Sequence, residues 1–168
     1  MPHIVPLNTN PAFIQIERII MMAGTIEEIL HQKRGDLHTI SPDATVFDAI
    51  ELMAEKNIGA LLVMSGDRLV GVVSERDYTR KVALKGKSSR DTRVREIVST
   101  PVIAASRSHT VEQCMRLMTE NRVRHLPVLE RDEVVGIVSI GDLVNWIISA
   151  QSVTITQLES YISGQYPG

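Results

Sequence analysis

Two kinds of apolar pattern alternate along this chain. Val46, Ala49, Ile50, Met53 and Ala54 recur at helical spacing through Glu55, which predicts a helix with one apolar face. Thr45 followed by Asp48 gives that helix a capping-box start. Ile58–Met64 is then an apolar run flanked by Gly59 and Gly66, the pattern of a short strand buried on both sides. Ser65-Gly66-Asp67 turns the chain into a second strand, Leu69–Val73, and a helix from about Asp77 to Leu84 follows. Upstream, Thr25 with Glu28 is another capping box. It opens a helix expected to run to about Lys33 and stop at Gly35. Leu37–Ile40 reads as a short strand and Ser41-Pro42-Asp43 as a turn.

The same series then occurs again. Adding 65 to each number maps Thr39–Tyr78 without a gap onto Ala104–Leu143. Ser41 falls on Ser106, Thr45 on Thr110, Met53 on Met118, Leu61 on Leu126, Gly71 on Gly136, Ser74 on Ser139 and Asp77 on Asp142. Ungapped self-similarity of this length means that one supersecondary unit was duplicated. Two copies that each expose an apolar sheet face bury it against each other, so a pseudo-two-fold pair is expected. Residues 1–11 read as an extended lead-in. For the apolar segment Ala12–Met22 three readings stand: a partner-docking helix, an additional core or interface helix, or a stretch ahead of a natural start at Met22. After the second copy, Val144–Ile148 continues a helix that carries Trp146. Thr154–Ile162 forms a last amphipathic turn or two, ending at Gly164.

Composition narrows the function classes. A net charge of −2 gives no general basic excess for nucleic acid, and 4% aromatic residues disfavour base-stacking platforms. A single cysteine, Cys114, excludes an internal disulfide and a Cys-based zinc site and suits a reducing compartment. It sits beside Met115 and Met118 on the apolar face of a predicted helix, a core position. No apolar run reaches the roughly 18 residues of a membrane span, and the N-terminus lacks the marks of a secretory signal, so a cytoplasmic protein is expected. The five histidines show no metal-ligand spacing, and neither a Walker string nor GxGxxG occurs. No catalytic set is suggested, and a non-enzyme is expected.

Candidate chemistry concentrates where Val70-Gly-Val-Val-Ser-Glu-Arg-Asp77 and Val135-Gly-Ile-Val-Ser-Ile-Gly-Asp142 pass from strand to helix. Two readings of each Asp stand. It is an N-cap accepting from backbone N–H groups, or a ligand group accepting from a vicinal diol such as ribose. The cationic stretch Arg80–Arg95 likewise is either a solvated linker face or a source of phosphate contacts.

Taken together, Ser41-Pro-Asp-Ala-Thr-Val46, Ile58-Gly-Ala-Leu-Leu-Val63, Gly71-Val-Val-Ser-Glu-Arg-Asp77, His125-Leu-Pro-Val128 and Gly136-Ile-Val-Ser-Ile-Gly-Asp142 resemble the paired cystathionine β-synthase (CBS) domain, or Bateman module. The resemblance covers about Thr25 to Ile148 and implies an α/β (α+β) fold of two β-α-β-β-α repeats. The division is then 1–24 as an N-terminal extension, 25–86 and 87–150 as the two CBS domains with a linker at 80–95, and 151–168 as a C-terminal helix and tail. With no room for an attached enzyme or channel, a stand-alone module is expected. Such modules bind AMP, ADP or ATP, sometimes a dinucleotide such as NAD or S-adenosylmethionine, and no further cofactor is required.

Carried onto this chain, the resemblance implies a first site with Ser74 and Asp77 on the ribose. Val102, Ile103 and Val123 line the adenine pocket, and Arg124 and His125 stand at phosphate-contacting positions, joined by Arg76 from the first copy. His125 has a second reading as a satisfied core histidine. The second site takes Ser139, Gly141 and Asp142, with Leu37, His38 and Ile58 around the base. There Gly59 and Ala60 stand where the first site has Arg124 and His125, so the second site is expected to lack two cations and bind more weakly. The resemblance further implies a homodimer, with Leu143, Trp146 and Ile147 as a helical face needing cover, and an unidentified regulated partner. Competing readings are an interaction module with vestigial sites and nucleic-acid binding through the basic linker.

Overall fold

The structure is a computed structural model that describes residues 24–33 and 35–162. The expected Ala12–Met22 segment, the Met22 start and the stop at Gly164 lie outside the described residues. Helix α1 (Ile26–Gln32) leads to strand β1 (Thr39–Ile40), helix α2 (Val46–Lys56), strands β2 (Ala60–Ser65) and β3 (Arg68–Ser74), and helix α3 (Glu75–Lys81). After two 3-10 turns at Ala83–Lys85 and Val94–Glu96 come helix α4 (Val111–Asn121), strands β4 (His125–Glu130) and β5 (Glu133–Ser139), and helix α5 (Ile140–Ile162).

Local signals place most of these elements. Thr45 caps α2 by accepting from Asp48 N–H while the Asp48 carboxylate takes Thr45 N–H, and Thr110 and Gln113 do the same for α4. Both helices end on a left-handed residue, Asn57 at φ 52° and Arg122 at φ 53°. Strand β2 is buried over Ala60–Val63, as its unbroken apolar run requires.

The first sheet has the order β1-β2-β3, with β1 parallel to β2 and β2 antiparallel to β3. The second sheet keeps the β4–β5 hairpin, but its counterpart of β1 shrinks to one parallel bridge, Ala105 to Val128. The cause is one residue. Leu62 N–H donates to His38 O at 3.2 Å in the first copy, and the equivalent of Leu62 is Pro127, which has no N–H to give.

Each copy's core is completed by a segment from the far side of the other copy. Ile26 and Ile29 of α1 are buried with Val111, Cys114, Met118, Leu126, Val138 and Leu143 of the second copy. Val94 and Ile97, between the copies, are buried with Val46, Met53, Leu61, Val63 and Val73 of the first. Full burial of such a side chain contributes about 1.5–3 kcal/mol, so these four residues tie the copies together at both ends. A second repeat relation underlies the exchange, with an offset of 68 rather than 65: Thr25-Ile-Glu-Glu-Ile-Leu30 matches Arg93-Val-Arg-Glu-Ile-Val98. In both segments a glutamate reaches back to the helix start: Glu28 accepts from Thr25 N–H at 2.7 Å and Glu96 from Arg93 N–H at 2.6 Å.

Several sequence expectations are corrected. Helix α3 starts at Glu75, not Asp77, because Ser74 is its N-cap, and it ends at Lys81. Helix α1 ends at Gln32 with Lys33 as its C-cap. Strand β1 keeps only the last two residues of Leu37–Ile40. Helix α5 runs unbroken for 23 residues instead of restarting at Thr154. Leu143, Trp146 and Ile147 do not await an outside cover: Leu143 is fully buried and the other two pack on the second core. Among the described side chains of that helix, the exposed large apolar residues are Val144 and Ile148. Among the described residues no helix is long and apolar enough to cross a membrane.

Candidate functional site

The first strand-to-helix junction is a closed capping box. Asp77 Oδ2 accepts from Ser74 N–H at 2.9 Å and Ser74 Oγ at 2.8 Å, while Ser74 Oγ accepts from Asp77 N–H at 3.3 Å. Ser74 is therefore the cap and Asp77 the third helical residue reaching back, a refinement of the N-cap reading. The other oxygen, Oδ1, takes Ser99 Oγ at 2.9 Å and the Lys81 ammonium at 2.8 Å. Lys81 also reaches Ile97 O at 2.7 Å and Ser99 Oγ at 3.2 Å. A carboxylate has about four acceptor positions, so Asp77 is fully engaged. Of its donors, the two hydroxyls can rotate and the ammonium can swing away, whereas the backbone N–H stays. Burial alone would raise the Asp77 pKa. Hydrogen bonds from Lys81, Ser74 and Ser99, with the Lys81 charge, outweigh it and hold the carboxyl below its ordinary value.

This junction floors a cavity of about 510 Å³ between the copies. Its lining joins Ser74, Arg76, Asp77, Arg80 and Lys81 of the first copy to Ser99–Pro101, Ile103 and Asn121–His125. Five cationic side chains, Arg76, Arg80, Lys81, Arg122 and Arg124, face it against two carboxylates, Glu75 and Asp77. Arg122 stands at the left-handed end of α4, and its carbonyl accepts from Arg76 Nη1 at 3.4 Å. The start of β4 is fixed to the opposite junction, where Ile140 N–H donates to Arg124 O at 2.9 Å. Glu75 N–H donates to Gly59 O at 3.1 Å in the matching place.

His125 lines this cavity, half-buried, so it is not a sealed core histidine. Burial lowers its pKa, Lys33 and Arg124 lower it further, and Asp142 partly opposes them. A Cβ on Gly59 would stand 3.6 Å from the His125 ring, so Gly59, expected in the second site, faces the first cavity. Of the residues expected in the first site, Ser74, Arg76, Asp77, Ile103, Val123, Arg124 and His125 line the cavity together. Val102 is half-buried outside that lining.

At the second junction Asp142 Oδ2 accepts from Ser139 N–H at 2.8 Å and Ser139 Oγ accepts from Asp142 N–H at 3.2 Å. Gly141 is exposed beside them, 3.5 Å from Ser139 Oγ measured at an added Cβ. Leu37 is exposed and His38 lends its carbonyl to β2, both on the connection into β1. Ile58 packs on the first core and Ala60 is buried in β2. The expectation of a cation-poor second site is incomplete: Lys33 Nζ lies 2.7 Å from Asp142 Oδ2. It arrives from α1, far away in sequence, so spacing gave no sign of it.

The basic linker divides. Arg80 and Lys81 face the cavity, whereas Arg93 donates to Asp43 O at 2.9 Å, Arg95 pairs with Asp43, and Arg90 lies 3.7 Å over the Phe47 ring centre. Sequence reasoning missed Ser99 and Arg122 as site residues and named Lys81 only within the cationic stretch Arg80–Arg95. Lys81 stands four residues after Asp77, one helical turn, and that spacing was a usable signal. Cys114 is buried, and burial pushes its thiol up to about 11, which suits a core residue rather than a nucleophile.

Known proteins resemble this chain in sequence and in fold. The chain is 34% identical over 168 residues to a mitochondrial CBS domain-containing protein of Arabidopsis thaliana, covering 95% of this chain and 81% of that one. A CBS-domain protein of Burkholderia ambifaria shares 48% identity at a TM-score of 0.72, over 74% of this chain and 94% of the other. A CBS domain protein from Pyrobaculum aerophilum, solved as a complex with AMP, matches at 25% identity and a TM-score of 0.62, over 70% and 88% of the two chains. The CBS domain itself is matched twice, at residues 26–84 and 94–149, so each match holds one exchanged segment and one strand-to-helix junction. Two such domains in tandem account for the described fold, and the chain belongs to the CBS domain family.

Proposed function

We propose that this chain is a regulatory module that binds an adenosine nucleotide, AMP, ADP or ATP, and passes the state of that site to a partner protein. The observation that carries the reading is the cavity of about 510 Å³. It sets the Ser74–Asp77 junction of one copy opposite Val123-Arg124-His125 of the other. Its volume suits a small ligand. A carboxylate at one end matches a ribose diol, half-buried Ile103 and Val123 offer apolar surface to a base, and Arg76, Arg122 and Arg124 supply forked donors for phosphate oxygens. The AMP complex of the Pyrobaculum aerophilum relative supports the same ligand class.

Isothermal calorimetry tests the reading. Micromolar dissociation constants, about −8 kcal/mol, are expected for adenosine nucleotides. Equal affinity for guanosine nucleotides would overturn it. The module is further proposed to act as a homodimer that covers Val144 and Ile148, which are 40% and 55% exposed on α5. A monomeric mass in light scattering at tens of micromolar protein would refute that assembly.

A further inference from the structure

The two junctions hold their carboxylates with a lysine in different ways. At the first, Lys81 stands one turn after Asp77 on the same helix. The matching position after Asp142 is Trp146, which packs on the second core and offers no charge. There the lysine comes from the other end of the chain. Lys33 Nζ lies 2.7 Å from Asp142 Oδ2 and 3.1 Å from Ile137 O. Lys33 is the C-cap of α1, its own N–H donating to Ile29 O at 2.8 Å. Eight residues join Leu30 to Thr39 where five join Val98 to Ala104, and Lys33 lies in the longer connection, which also carries Leu37 and His38.

An ammonium seated on Asp142 takes acceptor positions that a vicinal diol would need. At the first junction a displaced Lys81 remains on the helix of Asp77, within reach of Ile97 O and Ser99, and no tertiary tie is lost. At the second, displacing Lys33 removes the side-chain bonds that tie the C-cap of α1 to β5 and to the start of α5, while Ile26, Ile29 and Leu30 keep the helix on the second core. We infer that Lys33 is a built-in competitor at the second junction: a ligand ribose reaches Asp142 only by breaking the Lys33 tie. Ligand binding at this junction therefore loosens the end of α1 and the connection through Leu37 and His38. The inference rests on reading Asp142 as a ribose-binding carboxylate.

The test uses the full chain carrying Asp77→Asn, which silences the first cleft, with adenosine as the probe because it has no phosphate for Lys33 to contact. Lys33→Met should raise adenosine affinity about two- to fivefold, the range of a partly exposed ion pair. Lys33→Arg, which keeps a cation in place, should stay within about twofold of the parent. Adenosine should speed amide exchange over residues 26–33 in the parent and leave it unchanged in the Lys33→Met chain. Unchanged or weakened adenosine binding in the Lys33→Met chain, with Asp142→Asn still abolishing it, overturns the inference alone. Adenosine binding that is indifferent to Asp142→Asn removes the reading of the second junction itself, and so does its absence from both parent and Lys33→Met chain.

Discussion

Replacing Gly71 with alanine puts a methyl group where the exchanged segment crosses the first sheet. A Cβ built there falls 2.5 Å from Val98 Cγ2 and 3.0 Å from Ser99 O. Carbon contacts are optimal at about 3.5–4.0 Å, so Val98 must withdraw by about 1 Å. Val98 is β-branched and stiff, and the second obstacle is backbone. The equivalent change, Gly136→Ala, meets Leu30 Cδ2 at 2.6 Å and Cδ1 at 2.9 Å, the far end of a side chain that can turn aside. Overpacking costs about 1–3 kcal/mol, and a Gly→Ala change returns about 0.4–1 kcal/mol through the unfolded chain. Gly71→Ala should therefore destabilise by about 1–2 kcal/mol net, while Gly136→Ala stays within about 0.5 kcal/mol of wild type.

The strain at Gly71 also reaches the site, because Ser99 N–H bonds Val72 O at 3.4 Å and Ser99 Oγ bonds Asp77 Oδ1 at 2.9 Å. AMP affinity should fall with Gly71→Ala and hold with Gly136→Ala. Urea unfolding gives the first comparison, read as a shift in midpoint at constant slope, and calorimetry gives the second. Equal cost at the two glycines would refute the crossing-segment argument.

Arg124→Ala should weaken AMP roughly tenfold or more, since a charge-assisted hydrogen bond contributes about 1.5–3 kcal/mol. Adenosine should change little, and equal losses for both ligands would remove Arg124 from the phosphate. Asp77 has a lowered pKa in the fold, so the stability it contributes is complete above its ordinary value of 3.8 and is lost as pH falls through the folded value. His125 also has a lowered pKa. Its penalty for charging accrues as pH drops below 6.5 toward its folded value, so stability declines in a first step there and a second at the Asp77 titration. Thermal unfolding from pH 8 to pH 3 should show His125→Gln removing the first step and Asp77→Asn shrinking the second, to which Glu28, Asp48 and Glu55 also contribute. An unaltered profile in either variant would contradict the assignment.

The sequence by itself determined the duplication, the starts of α1, α2 and α4, and the place of the strand-to-helix junctions. Capping boxes at Thr25, Thr45, Thr110 and the Ser74–Asp77 and Ser139–Asp142 pairs act within four residues, and an apolar run such as Ala60–Val63 declares its burial locally. The grouping of Ser74, Asp77, Arg124 and His125 at one site came from the family resemblance rather than from any spacing, and the four line one cavity in the fold. Tertiary structure decided what no local pattern encodes. A change of offset from 65 to 68 hid the match between Thr25–Leu30 and Arg93–Val98, so nothing along the chain announced that each segment completes the opposite core.

That exchange sets Val98 on Gly71 and Leu30 on Gly136, and at Gly71, where backbone also closes in, the approach needs glycine. It also brings Ser99 to Asp77 and Lys33 to Asp142, partners 22 and 109 residues apart. Side chains so distant meet only once both cores are packed, because their encounter depends on chain closure rather than on neighbouring residues.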